Sequence, residues 1–143
     1  MKTIIYDIDG CCIDSTFRHE HVQVDFKRYL ELHPTDKPIM QGVLVYTLLL
    51  ELQDFRHVFI TGRGEEERDS TTAILERLFH GKTFELLMRP ADDRRPDVEI
   101  KGELMQQNGI WPKDVFLAFD DRPVMVEFYR SLGIVAYQTA EGY

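Results

Sequence analysis

The chain predicts an α/β domain built on a mostly parallel five-stranded sheet with helices on both faces. Short runs rich in β-branched and aromatic residues alternate with helical patterns along the whole chain, the order that parallel strands joined by crossover helices require. Its 143 residues suffice for one domain, 1–143, with a core of its own, and leave no room for a second of ordinary size.

Lys2 to Ile8 reads as a buried strand feeding a turn at Asp9-Gly10. Residues 11 to 37 mix Cys, Asp, Ser, His and charged residues. Their helical pattern (Val24, Phe26, Tyr29, Leu30) stops before Pro34, and this stretch is the hardest to assign. Pro38 suits the first turn of an almost wholly apolar helix running through Leu52. His57 to Thr61 forms a second strand. The acidic run from Glu65 opens, as a solvated first turn through Glu67, a helix with Ala73, Ile74, Leu75, Leu78 and Phe79 at helical spacing, closed by Gly81. Phe84 to Met88 is the third strand and Arg89 to Arg95 a polar loop. A helix from Pro96 to Asn108 follows, closed by Gly109. Val115 to Phe119, a helix over Pro123 to Leu132, and Ile134 to Tyr137 complete the sheet. Phe116, Phe119, Phe128, Tyr129 and Tyr137 read as core or core edge.

Composition narrows the class of partner. Seventeen Lys and Arg against 25 Asp and Glu leave a net charge of −8, which argues against a broad electrostatic grip on nucleic acid or an anionic membrane. It still allows contact with one phosphate held by a metal. The two cysteines, Cys11 and Cys12, are adjacent, which suits neither a disulfide framework nor a zinc site; they read as packed thiols in a reducing compartment. Asp7 interrupts any signal-peptide pattern, and the longest apolar run, Val43 to Leu50, is far short of the roughly 20 residues that span a bilayer. A cytoplasmic protein with no membrane segment is expected. Among the histidines, His19, His21, His33, His57 and His80, only the first two are close in sequence, and no metal role is assigned to them.

In a parallel sheet the site lies beyond the carboxyl ends of the strands. The residues that fall there are Asp7, Asp9, Thr61, Arg63, Arg89, Asp120 and Asp121, with Lys101 near the start of a helix packing beside them. Asp7 and Asp9, two apart on a strand, leave on one side while Ile8 turns inward. Carboxylates this close repel unless a cation or a proton intervenes, and hard oxygen ligands favour Mg²⁺. A lone Asp at a strand end is commonly a cap. Carboxylates gathered with a lysine and a threonine suggest phosphoryl chemistry instead, with one carboxylate as nucleophile and another moving a proton.

Asp7-Ile8-Asp9-Gly10, Thr61-Gly62-Arg63, Lys101 and Phe119-Asp120-Asp121 resemble, in order, the four motifs of the haloacid dehalogenase (HAD) superfamily of phosphohydrolases. The resemblance implies a Rossmann-like three-layer sandwich and an aspartyl-phosphate on Asp7. It further implies Asp9 as general acid/base, Thr61, Gly62 and Lys101 holding the phosphate, and Mg²⁺ bound by Asp7, the Asp9 backbone carbonyl and Asp120, with Asp121 in support. The residue after Asp9-Gly10, commonly Thr or Ser in the family, is Cys11 here. The run LAFDDRPVMVEFYRSLGIVAYQTAEGY, Leu117 to Tyr143, is similar to the end of the 3′-phosphatase domain of phage polynucleotide kinase/phosphatase, as are Asp97 four residues before Lys101 and Arg18 eleven after Asp7. That likeness implies Arg18 and Arg63 on phosphate oxygens and Asp97 bracing Lys101, a pair that i,i+4 spacing allows to meet. No Gly-x-x-x-x-Gly-Lys segment occurs, so the chain reads as a phosphatase domain without the kinase. The intervals Gly10–Thr61 and Arg63–Lys101 are too short for a folded cap, and an open site is expected. The substrate implied is a phosphorylated nucleic-acid end, 3′ in preference, or a nucleotide, with a kinase or ligase as a separate partner. A small phosphomonoester is the alternative substrate, and a non-catalytic binding module the alternative class.

Overall fold

The computed structural model describes residues 1–32, 34 and 36–141. His33 and the Gly142-Tyr143 end of the carboxyl-terminal resemblance lie outside the described residues. In chain order the elements are β1 (Lys2–Tyr6), β2 (Ile13–Asp14), α1 (Thr16–His19), α2 (Phe26–Glu31), β3 (Lys37–Pro38), α3 (Met40–Leu50), β4 (Phe55–Gly64), α4 (Arg68–Leu78), β5 (Glu85–Arg89), α5 (Asp97–Gln107), β6 (Val115–Asp120), α6 (Pro123–Ser131) and β7 (Ala136–Gln138). Single 3₁₀ turns precede α4 and β6.

Five strands form one parallel sheet in the order β5-β4-β1-β6-β7. The central strand is β1, and its sequence says why: Ile4, Ile5 and Tyr6 are all inaccessible to solvent, as only a strand covered on both faces can be. Alternation splits its side chains between two cores. Ile5 joins Val58, Ile100, Met125 and Tyr129 beneath α5 and α6, while Ile4 and Tyr6 join Tyr46, Phe59, Leu75 and Phe79 beneath α3 and α4. The result is the expected three-layer α/β sandwich. His57 belongs to this scaffold: its Nε2 lies 2.8 Å from the Leu52 carbonyl, which can only accept, so Nε2–H donates there and Tyr6 Oη–H donates to Nδ1 at 2.8 Å.

Several expectations are corrected. The first strand ends at Tyr6, not Ile8, because the Ile8 carbonyl accepts the amides of Cys11, Cys12 and Ile13 at 3.0–3.2 Å and curls the chain into a turn. Pro38 is not in the first turn of α3. It sits in β3, antiparallel to β2, and Ile39 N–H donates to the Cys12 carbonyl at 2.8 Å, so the helix begins at Met40. Glu67 is not solvated but buried, since it faces the buried Arg18 guanidinium. Phe116 and Tyr137 are 55% and 57% exposed: Tyr137 stands on the edge strand β7, stacked on Phe119, and Phe116 rests on Phe55 at the rim.

The unassigned stretch after β1 folds into a small flap of β2, α1, α2 and β3. Residues 65–96 supply only a turn, α4, β5 and a loop, so among the described residues neither interval carries a folded cap. Among the described residues no helix is long and apolar enough to cross a membrane.

Candidate active site

The site stands at the carboxyl edge of β1, β4 and β6. Asp7 N–H donates to the Phe119 carbonyl (3.1 Å) and its own carbonyl accepts Tyr46 Oη–H (2.8 Å), so neighbouring β6 and α3 fix its main chain. Its carboxylate receives Lys101 Nζ at 2.8 Å, and the same ammonium donates to Asp120 Oδ2 at 2.8 Å. Lys101 reaches this point from the first turns of α5 and is 1% exposed. Burial and the nearby Asp120 push the Asp7 carboxyl well above the usual carboxylate range, with Lys101 opposing. Burial disfavours the charged ammonium as well, yet Asp7 and Asp120 outweigh it and raise Lys101 above its ordinary value. Two buried carboxylates thus share one cation.

Asp121 adds a third. Burial and Asp120 lift its carboxyl to about 6. Ligand atoms of Asp7, Cys11 and Asp121 all lie within 4.8 Å of one another, a spacing one small divalent cation could bridge. The expected ligand Asp120 is instead turned to Lys101 and to the Arg122 amide (3.0 Å), which leaves Asp121, expected only in support, beside Asp7. Gly10 makes that approach possible. Its φ is +78°, and a β-carbon there would stand 2.2 Å from Asp121 Oδ2.

Cys11 Sγ lies 3.7 Å from Asp7 Oδ2 and 2.9 Å from Thr139 Oγ1. Burial and Asp7 push this thiol up, so a neutral S–H, a weak donor, occupies the place of the usual hydroxyl. Cys12 is packed in the apolar core.

Asp9 points toward the flap. Arg63 grips it with a fork, Nε to Oδ2 at 2.9 Å and Nη2 to Oδ1 at 2.7 Å, and Ser15 Oγ donates to Oδ1 at 2.7 Å. Burial alone would raise the Asp9 carboxyl; Arg63 and Ser15 outweigh it and hold it well below the usual carboxylate range. Behind Arg63, Asp36 accepts from both arginines, 2.8 Å from Arg63 Nη2 and 2.8 and 3.0 Å from Arg18, while Arg18 also meets Glu67 at 2.8 Å and covers the Tyr29 ring. The arginines expected on phosphate oxygens therefore hold carboxylates here, because three acids, the Asp36 and Glu67 carboxylates buried and Asp9 partly exposed, surround two buried guanidinium groups.

Thr61, fully buried within the last residues of β4 before Gly64, accepts the Arg63 amide at 3.0 Å. The Gly62 carbonyl accepts Arg89 Nε at 2.8 Å, and a β-carbon on Gly62 would stand 2.7 Å from Asp97 Oδ1. Asp97 does not hydrogen-bond Lys101. It pairs with Arg89 and with Arg122 (2.6 Å), and its effect on Lys101 is through its charge. In the loop after β5, Arg95 pairs with Asp93 and Glu103, and Arg94 lies 4.1 Å over the Phe26 ring of α2, tying that loop to the flap.

Sequence reasoning missed Ser15, His19, Asp36, Tyr46, Glu67 and Thr139 as parts of this site. Tyr46 carried a usable signal, a lone hydroxyl in an apolar helix that must find a buried partner. Asp36 and Glu67 carried none, since each meets its arginines only through the fold.

The family model for the polynucleotide kinase PNKP phosphatase domain matches residues 1–143. A protein of Autographa californica nuclear polyhedrosis virus, named for polynucleotide kinase and RNA ligase functions, is 27% identical over 133 residues, 93% of this chain and 18% of the viral one. Among solved structures, a chain of the Pnkp1/Rnl/Hen1 RNA repair complex superposes with a TM-score of 0.78 at 24% identity, over 99% of this chain and 43% of that one. A haloacid dehalogenase-like hydrolase from Streptococcus pneumoniae does so at 0.63 and 10% identity, over 99% and 87%. The structural likenesses speak for the fold. The chain spans less than a fifth of the viral relative and under half of the repair-complex chain.

Proposed function

Because this chain belongs to the family of polynucleotide kinase PNKP phosphatase domains, we propose that it is a Mg²⁺-dependent phosphatase that removes the terminal 3′-phosphate of a polynucleotide or nucleotide through an aspartyl-phosphate on Asp7. The observation that carries this reading is the Lys101 ammonium bridging Asp7 and Asp120 at 2.8 Å each. It opposes the rise that burial and Asp120 impose on the Asp7 carboxyl and supplies positive charge where phosphate oxygens would lie.

Asp7 attacks phosphorus, the bond from phosphorus to the ester oxygen breaks, and Asp9 gives that oxygen a proton. Water then attacks the phosphoryl group on Asp7, Asp9 takes a proton from it, and inorganic phosphate leaves with Asp7 restored. The Arg63 fork favours ionised Asp9, so proton delivery in the first half is its harder task. Thr61, Gly62 and Lys101 hold the phosphoryl oxygens; Arg63 acts by holding Asp9, Arg18 by holding Asp36, which Arg63 also meets, and Asp97 acts on Lys101 through its charge. The donor set fits a hard divalent cation, with Asp7, the Asp9 carbonyl and Asp121 or Asp120 to hold it. Bound there, Mg²⁺ would offset the carboxylates and polarise the phosphoryl group.

Release of inorganic phosphate from a 3′-phosphorylated oligonucleotide with Mg²⁺, abolished by Asp7→Asn and absent on the 5′-phosphorylated isomer, is the expected result. No release, or release that survives Asp7→Asn, ends the proposal. A small phosphomonoester is the second reading, favoured by the net charge of −8; faster turnover of mononucleotides than of oligonucleotide ends would select it. The relatives' names make a kinase or ligase the partner to test, in the cytoplasm, for a stable complex.

A further inference from the structure

Ser15 stands immediately before α1, where a serine oxygen ordinarily accepts a backbone N–H of the first helical turn. Here it makes no such bond. Asp14 does that work instead, accepting the Thr16 amide at 3.0 Å and the Thr16 hydroxyl at 2.6 Å. The Ser15 hydroxyl, 1% exposed, turns inward and lies 2.7 Å from Asp9 Oδ1 and 3.0 Å from His19 Nε2, one helical turn further on.

The hydrogens on this chain are fixed by chemistry. Ionised Asp9 only accepts, so Ser15 Oγ–H donates to it, and the same oxygen accepts from His19, whose proton must then be on Nε2. Burial lowers the His19 pKa, with Arg18 and Arg63 adding to that and Asp9 opposing it, which keeps the ring neutral. Arg63 holds Asp9 from the sheet side; the flap holds the same oxygen from the other.

We propose that Ser15 and His19 form a positioning arm for Asp9, in which His19 fixes the Ser15 hydroxyl and that hydroxyl fixes the carboxylate that moves the proton. The arm rests on the reading of Asp9 as general acid/base. It makes the flap part of the catalytic apparatus: an ordered α1 is a condition for proton transfer, and His19 acts only through Ser15.

The test measures kcat and KM for a 3′-phosphorylated oligonucleotide with Mg²⁺ in Ser15→Ala, His19→Ala, the double variant and His19→Gln. Ser15→Ala should lower kcat at least about tenfold, the scale of one hydrogen bond to a charged group, with KM within about twofold of the parent. His19→Ala should lower kcat in the same way, the double variant should be no slower than Ser15→Ala, and His19→Gln should recover activity because its amide N–H can donate to Ser15. Unchanged kcat in Ser15→Ala, losses that multiply in the double variant, or a His19→Gln as slow as His19→Ala would each overturn the arm. The His19 pair leaves Ser15 in place and decides the matter even if Ser15→Ala does not fold. Inertness of the parent protein, or activity indifferent to Asp7→Asn, removes the reading of Asp9 and the arm with it. Asp7-dependent activity with indifferent Ser15 and His19 variants removes the arm alone.

Discussion

A β-carbon at Gly42 would stand 1.8 Å from the Cys11 carbonyl oxygen, an approach of α3 to the turn after Asp7 that only glycine permits. Alanine is the better helix former by about 1 kcal/mol, yet Gly42→Ala should destabilise the protein by about 3 kcal/mol, because backbone on both sides must shift. Urea unfolding decides this, and a neutral result would refute so tight a contact. Asp9→Asn tests proton delivery at the same scale. It should slow release from an oligonucleotide 3′-phosphate, whose alkoxide needs a proton to depart, about a hundredfold, and slow p-nitrophenyl phosphate much less in the first half-reaction. Equal losses on both in burst kinetics would argue against Asp9 as the acid. Asp121 makes a prediction in pH. Its folded value of about 6 lies above the ordinary 3.8, so its contribution to stability is whole below about pH 4 and is lost as pH rises through 6. In chelator, Tm should therefore fall between pH 4 and 7 by less in Asp121→Asn than in the parent; an unchanged slope would sink the assignment. Asp9 acts in the opposite sense, stabilising above its ordinary value and failing as pH drops.

At the scale of elements, the flap is held to the sheet by charge. Arg18, 0% exposed on α1, joins Asp36 after α2 to Glu67 before α4. Removing it leaves two buried carboxylates without that partner, so Arg18→Ala should cost about 3–5 kcal/mol and loosen the flap first, seen as faster amide exchange over α1 and α2 than over β1. Uniform exchange would show that the flap is not a separate unit. The large elements were legible in the sequence, since the β-branched and aromatic run through Ile4-Ile5-Tyr6, the helical spacing in α4, and Pro96 and Gly109 bounding α5 are local signals. The flap was not: β2 and β3 are two residues each, and α1 is four, too short for any periodicity to emerge. Pro38 shows the limit of local rules. It suits a helix start, yet pairing with Ile13 placed it in a strand.

For the whole molecule, the described residues between the motifs supply a small flap and no folded cap, and a site without a cap would suit a substrate entering by its end. The surface also has an unusual apolar strip. Leu44 and Leu48 of α3 are 61% and 62% exposed on a helix without a charged residue. That face is mostly solvent-exposed, so Leu44→Lys with Leu48→Glu should change stability by less than about 1 kcal/mol; a larger loss would mean the strip supports the fold.

The sequence by itself determined the order of the five sheet strands and the larger helices, the edge of the sheet near which Asp7, Thr61 and Asp120 stand, and the family to which they point, because composition and motif spacing are written locally. Only the tertiary structure decided what each charge faces. Lys101 bridges Asp7 and Asp120, 94 and 19 residues away, Arg63 holds Asp9 across 54, and Asp97 turns from Lys101 to Arg89 and Arg122. Such pairings depend on which buried charge lies nearest once water is gone, and no spacing along the chain encodes that distance.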